Sequence, residues 1–299
     1  MAYTSEGILL PSAISPPHSF VSAIQAKGVI LGSVLTFPAP ICAKLAARSG
    51  LDWVMIDMEH APYSPEKATT ICHAVVAASM GHCLPIIRVP SHDVAWIKWA
   101  LDSGAAGIVI PMVNTAAEMR QIIDRAVYPP VGSRSFGPFN APFAQLNPAD
   151  GFPEYYQRAK SGDIAVLPII ESREGVQNAD EILNVPGVTG VFIGPYDLRL
   201  SLGVTGGIDG PEDVFVEAIE KVIAAAKKAG KVVGSMGVGE EVSRKRAEQG
   251  RYRLELTIPI WLTSTGMHFL LSSLDYSALV RGFKADLDDA RRGVRASEI

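Results

Sequence analysis

Apolar residues recur along this chain in short runs separated by amphipathic stretches. Runs near 29–37, 53–58, 84–89, 107–113, 165–171, 190–195, 231–236 and 268–275 have strand length and read as buried strands. The clearest helical stretch is 212–229. There Val214, Ala218, Val222, Ala225 and Ala229 recur at three- and four-residue steps, as a core-facing stripe should. Pro211 suits the first turn, Glu212 and Asp213 suit the positive end of the helix, Lys227 and Lys228 suit the other end, and Gly230 stops it. Eight strands alternating with helices predict an α/β fold, a (β/α)8 TIM barrel. The alternative, a doubly wound open sheet, would carry a Gly-rich phosphate turn. The nearest stretch, Gly234-Ser235-Met236-Gly237-Val238-Gly239, has the wrong spacing and comes late.

Two stretches depart from this rhythm. Residues 127–152, rich in Pro, Gly, Phe and Asn, are too long for an ordinary connection and suggest a lid or a subunit contact. Residues 251–265 interrupt the step from the seventh helix to the eighth strand with an apolar segment, expected on the face away from the active site and packed on another subunit or poorly ordered. The predicted organisation is an N-terminal extension over 1–21 and one barrel domain over 22–299, with an insertion at 251–265.

The strand ends carry the chemistry. Val166 to Ile170 leads into Glu171, and Val191-Phe192-Ile193-Gly194-Pro195-Tyr196 leads into Asp197. An acid closing a buried run is costly without a partner, and two such acids at one rim could share a hard divalent cation. An ordinary pair of rim carboxylates is the competing reading. No Cys or His accompanies them, which favours Mg²⁺ or Mn²⁺, with Co²⁺ as a further candidate, over structural zinc. Trp53 to Ile56 leads into Asp57, then Glu59 and His60. A histidine beside a carboxylate can be oriented as a general base; a surface histidine is the alternative. Arg88 closes the third run, where a guanidinium could hold a carboxylate or a developing oxyanion, or simply form a rim salt bridge with Asp57 or Asp102. Gly194-Pro195 suggests close backbone approach to a small ligand. His18, His73, His82, His92 and His268 lack such context and read as structural or solvent-facing. Together these groups fit metal-assisted chemistry on a small 2-oxo acid, through the enolate formed when a C–C bond breaks. No lysine stands at an obvious strand end, so an imine mechanism is less attractive.

Bulk properties narrow the class further. The net charge of −4 and pI near 5.9 argue against nucleic acid as a partner. The one basic cluster, Arg244-Lys245-Arg246, reads as a solvated helix face. Cys42, Cys72 and Cys83 sit in apolar stretches without metal-ligand spacing and read as buried thiols in a reducing compartment. The N-terminal stretch lacks the pattern of a signal peptide, no run reaches membrane-span length, and the last three residues are no peroxisomal address, so a cytoplasmic protein is expected.

Several motifs resemble the HpcH/HpaI aldolase family, the class II pyruvate aldolases. They are Leu51-Asp52-Trp53-Val54-Met55-Ile56-Asp57-Met58-Glu59-His60-Ala61-Pro62, Ala105 to Val113, Tyr128 to Arg134, Ile170-Glu171-Ser172-Arg173-Glu174 and Val191 to Leu198, in that order. The resemblance spans roughly residues 22–290. It implies a metal-dependent barrel of the phosphoenolpyruvate/pyruvate-binding type that cleaves a 4-hydroxy-2-oxo acid to pyruvate and an aldehyde. It implies Glu171 and Asp197 as metal ligands, His60 oriented by Asp57 as the acid/base group, and Arg88 on the pyruvyl oxygen. It also implies Asp102 near the site across a subunit contact, and a homo-oligomer, usually a hexamer, with the C-terminal helix packed on a neighbour. Arg88-Val89-Pro90-Ser91-His92-Asp93 and Arg134-Ser135-Phe136 are similar to macrophomate synthase, which implies oxaloacetate decarboxylation as the alternative activity. Met112 stands where that enzyme has a histidine. Ile169 replaces a glutamine common in the family, and Tyr196 replaces a small residue, which would reshape the aldehyde side. A non-catalytic metabolite-binding barrel is the remaining alternative.

Overall fold

The computed structural model describes residues 15–145, 151–249 and 266–296. Its eight strands form one closed parallel barrel in chain order: β1 (Ile30–Leu35), β2 (Trp53–Asp57), β3 (Leu84–Arg88), β4 (Gly107–Ile110), β5 (Ala165–Ile170), β6 (Gly190–Ile193), β7 (Val232–Met236) and β8 (Phe269–Leu274). All eight predicted runs are strands, and the (β/α)8 prediction holds. The stretch 251–265 lies outside the described residues. No helix among the described residues is long and apolar enough to cross a membrane.

Helix α1 (Phe20–Lys27) closes the bottom of the barrel. Ser19 caps it, accepting the Ser22 N–H, while the Ser22 side chain accepts the Ser19 N–H, so two donors without helical partners are satisfied. The cap drives Phe20 into the barrel, where it meets Trp53 and Phe269 edge-on, with ring centroids 5.7 and 5.1 Å away. Phe20 thus belongs to the inner core, inside the stretch expected to be an extension. A Cβ on Gly32 would overlap the Trp53 indole, so the absent side chain makes room for the largest core residue. Beside Gly32 the β1–β8 register shifts, and the barrel closes there.

A second core lies between the strands and the outer helices α2 (Pro40–Arg48), α3 (Pro65–Ser79), α4 (Val94–Asp102), α5 (Ala116–Ala126), α6 (Gly151–Ser161), α7 (Arg173–Gln177), α8 (Ala179–Leu183), α9 (Pro195–Ser201), α10 (Asp213–Lys228) and α11 (Glu240–Glu248). α12 (Asp275–Ala296) follows β8. α10 matches the 212–229 prediction in extent, but its buried face is centred on Phe215, Ile219, Val222 and Ala226, and Val214 is exposed. Glu212 is the N-cap and Pro211 stands outside the helix; the Glu212 carboxylate makes no cap bond and is taken by Arg199 through hydrogen bonds of 2.6 Å each.

Two further expectations change. Cys42 is half-buried, whereas Cys72 and Cys83 are buried. Arg246 is not solvated: it is fully buried and donates to Asp209 at 3.0 Å and to the Ile208 carbonyl at 2.8 Å. Within the described part of the 127–152 stretch, Arg134 is buried, donates to Asp102 and Tyr155, and lies 4.6 Å from the Tyr128 ring centre, which ties this part to α4 and α6.

Candidate active site

Parallel strands deliver their last residues to one rim, so the acids and bases that end β2, β3, β5 and β6 meet around the barrel mouth. They surround a cavity of about 360 Å³, lined by Asp57, His60, Arg88, Glu171, Gly194 and Asp197 among others. This volume falls within the usual range of small-molecule sites, about 300–1,000 Å³.

Asp57 and Arg88 are register partners on neighbouring strands, which places their side chains together. Arg88 Nε donates to Asp57 Oδ1 at 2.9 Å and Nη2 to Oδ2 at 2.6 Å, a two-point grip. Arg88 Nη1 lies 3.1 Å from Glu59 Oε2. These contacts engage each guanidinium nitrogen once, leaving a second N–H on each terminal nitrogen. Burial opposes the charge on Arg88, but the hydrogen bond and charge of Asp57, with Glu59 and Glu171, more than restore it.

Asp57 does not touch the His60 ring. Its Oδ1 accepts the backbone N–H of Glu59 at 3.1 Å and of His60 at 3.2 Å, and so fixes the turn that carries both. The imidazole faces Glu59, with Oε2 3.6 Å from Nε2, and the ring is largely exposed. Burial raises the Glu59 carboxyl above its usual range, helped by Asp57 and Asp197 and opposed by Arg88 and His60. Glu59 therefore belongs to the cluster, although the sequence assigns it no role of its own. Its place two residues after Asp57, in the turn beyond β2, was the available signal.

Glu171 follows the last residue of β5 and is buried. Its Oε1 accepts the Met112 N–H at 2.8 Å, from a turn in which Met112 takes a left-handed φ of 52°. A non-glycine residue in that region is uncommon and costs about 1–3 kcal/mol, so the turn that delivers this N–H is held by its surroundings. The other oxygen lies over Gly194, where a Cβ would overlap Oε2 and come within 2.9 Å of both the Glu171 Cβ and Ile169 Cγ2. Gly194 is thus the cradle for this carboxylate. Burial, with Asp197 and Glu59 adding, pushes the Glu171 carboxyl up to about 7, against the pull of the Met112 N–H and Arg88. Asp197 stands exposed in the first turn of α9, after Pro195, which suits an N-terminal helical position.

This donor set fits a hard divalent cation. Asp57, Glu59 and Glu171 act on one guanidinium, and the neighbouring acids, Asp197 among them, help to raise Glu59 and Glu171. No three His, Cys, Asp or Glu side chains among the described residues form a ready ligand cluster. A hard cation that takes one or two carboxylates and keeps several waters needs no such cluster.

Asp102 is not brought to this site within the chain. It ends α4 on the outside of the barrel, is bound by Arg134 Nη2 at 2.6 Å, and lines a separate cleft with His73, Trp99 and Asn140. Of the remaining histidines, His268 is buried with Nδ1 accepting the Val233 N–H at 3.1 Å, while His73 and His92 hold backbone carbonyls.

A parallel barrel with an acid pair, a clamped guanidinium and a histidine at its C-terminal rim defines the class: a (β/α)8 enzyme equipped to handle an enolate. Comparison with known proteins specifies it. The model of the HpcH/HpaI aldolase/citrate lyase family matches residues 35–256. The chain is 33% identical to the hydroxypyruvate/pyruvate aldolase of Roseovarius nubinhibens over 82% of its own length and 92% of the relative's. It is 34% identical to the 4-hydroxy-2-oxo-heptane-1,7-dioate aldolase of Escherichia coli over 78% of its own length and 86% of the relative's. Among solved structures, macrophomate synthase superposes with a TM-score of 0.74 at 29% identity, covering 96% of this chain and 94% of that one. A family protein from Burkholderia cenocepacia gives a TM-score of 0.73 at 29% identity, covering 90% of this chain and 97% of that one. The chain belongs to the HpcH/HpaI aldolase/citrate lyase family.

Proposed function

We propose that this chain is a divalent-metal-dependent carbon–carbon lyase that reversibly cleaves a 4-hydroxy-2-oxo acid to pyruvate and an aldehyde. Its relatives are named as aldolases of 2-oxo acids, and the observation that carries the reading is Glu171, a carboxylate buried on a glycine cradle within a crowd of acids that one arginine does not neutralise. Glu171 and Asp197 would hold Mg²⁺ or Mn²⁺, with Co²⁺ as a further candidate. When bound, such a cation binds the 2-oxo acid and offsets the negative charge of the enolate.

The chain's own groups divide the remaining work. Arg88, fixed by Asp57 and Glu59, directs its free N–H groups at the oxygen on which charge develops, and its fixed geometry spares reorganisation during reaction. His60, beside Glu59, takes the hydroxyl proton from C4 as the C3–C4 bond breaks, and the carbonyl of the aldehyde forms. The bond electrons pass into the enolate, and C3 is then protonated to give pyruvate. Gly194 and Pro195 form the floor beneath the substrate, and Tyr196 stands at its outer edge.

Oxaloacetate decarboxylation is the second activity we assign to this site. It passes through the same enolate without needing a hydroxyl proton removed, and the macrophomate synthase likeness supports it. A cytosolic homo-oligomer belongs to the same proposal; the three free cysteines suit a reducing compartment. The test is pyruvate release from a panel of 4-hydroxy-2-oxo acids and from oxaloacetate, with and without EDTA. Release that chelation abolishes and added Mg²⁺ or Mn²⁺ restores is the expected result. Full activity in the stripped protein would overturn the metal-dependent reading.

A further inference from the structure

The two sides of the active-site cavity differ in chemistry. One side holds the acids and Arg88 described above. The other is built from Phe192 of β6, Met236 of β7 and Leu271 of β8, and at the mouth from Leu274, Tyr196 and Tyr276. Tyr196 and Tyr276 are 50% and 49% exposed, so both rings have free faces at the opening. Asp275 fixes the second of them in place: its carboxylate accepts the Thr36 and Phe37 N–H groups at 2.7 and 3.0 Å, which ties the start of α12 to the end of β1. The backbone that carries Tyr276 is therefore held.

Charge decides what this wall can accept. Among the described residues, the cavity lining contains one permanent cation, Arg88, and one titratable ring, His60. Arg88 is gripped by Asp57 and Glu59 on the acid side. With a divalent cation bound, the formal balance is four carboxylates against +2 and +1, a net of −1 before substrate enters. The pyruvyl carboxylate adds another negative charge. A second carboxylate at the far end of the aldehyde would then meet aromatic and aliphatic side chains with no cation to receive it, at the cost of its hydration.

We infer that the aldehyde partner of this enzyme is uncharged and apolar or aromatic, and that Tyr196 and Tyr276 are the residues that select it. The inference rests on the aldolase reading given above. In the synthetic direction C3 of the pyruvate enolate bonds to the carbonyl carbon of the aldehyde. The carbonyl π pair moves onto oxygen, and that oxygen takes the proton carried by His60. The aldehyde's substituent is then left against the tyrosine mouth, where apolar surface is removed from water.

The experiment uses the full chain loaded with Mg²⁺ and measures aldol addition of pyruvate to pentanal, benzaldehyde and succinic semialdehyde. In parallel, exchange of the pyruvate C3 protons in D2O is followed by NMR, which reports enolate formation without any aldehyde. The expected result is a kcat/KM for the two apolar aldehydes about tenfold or more above that for succinic semialdehyde, a ratio that a small difference in pocket contacts can supply. Tyr276→Arg should narrow that ratio by raising the succinic semialdehyde rate, and Tyr196→Arg tests the same point from another element. Exchange with a preference for succinic semialdehyde would overturn the inference and leave the aldolase reading standing. So would exchange with no addition to the apolar aldehydes. Absence of both exchange and addition would overturn the aldolase reading and the inference with it.

Discussion

Arg88 and Arg246 are both withdrawn from solvent beside carboxylates, yet their surroundings balance in opposite ways. Around Arg246 the acid is shared out: Asp209 accepts from Arg246 at 3.0 Å and from Lys245 at 2.7 Å, two cations on one carboxylate. Burial pulls the Arg246 guanidinium below its usual range, more than Asp209 restores. Around Arg88 the acids are in excess, and its charge is held above the usual range despite burial. The first cluster holds one more cation than acid, and Arg246 is also tied to the Ile208 carbonyl and to Gln249. The second has negative charge to spare, facing a cavity. Surplus acid facing a cavity, rather than buried cations shared on one acid, is what supports the proposed cation site at the rim.

The comparison breaks most sharply by removing each arginine. Arg246→Ala leaves the Ile208 carbonyl without this donor while Asp209 keeps Lys245, and should cost about 1–3 kcal/mol of stability, read as a fall in the denaturant midpoint. Turnover per folded molecule should persist. Arg88→Ala should instead act on the reaction, lowering both aldol cleavage and oxaloacetate decarboxylation by about 10²–10³-fold, the usual cost of losing a donor to a developing oxyanion. Steady-state kinetics on both substrates checks this; loss of one activity alone would place Arg88 elsewhere in the chemistry.

His60→Ala sharpens the account. Aldol cleavage should fall by about 10²-fold, while decarboxylation, which needs no proton taken from a hydroxyl, should fall much less. The ring is largely exposed, so the melting temperature should barely move. Equal loss in both reactions would contradict the proton-removal role. The smallest effect concerns Glu171, whose burial among acids opposes folding of the metal-free chain. Glu171→Gln, melted in the presence of chelator, should gain about 1–2 kcal/mol, since an uncompensated buried charge is removed.

The barrel was legible because buried parallel strands read as continuous apolar runs, and all eight are present in the order expected. The rim cluster was legible for the same reason: an acid or arginine directly after such a run has one place to go. The grip between Asp57 and Arg88 depends on strand register, which no single run encodes. Glu59 was passed over because a residue just beyond a strand has no fixed facing. Arg246 was misread because α11 is strongly polar, and its partner Asp209 lies 37 residues earlier in the chain. On α10 the helix was recognised, and Ala218, Val222 and Ala225 of the expected stripe are buried; Val214 alone is exposed, with Phe215 taking the core position beside it. Several small apolar residues on both sides made the stripe ambiguous, and the aromatic ring under Arg199 and Arg246 decided it. Asp102 was expected at the site from across a subunit contact; within its own chain it pairs with Arg134 outside the barrel.

The central claim, that Glu171 and Asp197 hold the cation this acid-rich rim calls for, is tested most directly by calorimetric titration of Mn²⁺ into the chelator-stripped protein. The account predicts one site per chain in the parent and in His60→Ala, and loss of most of the affinity in Glu171→Ala and in Asp197→Ala. An unchanged Mn²⁺ affinity in Glu171→Ala would contradict it.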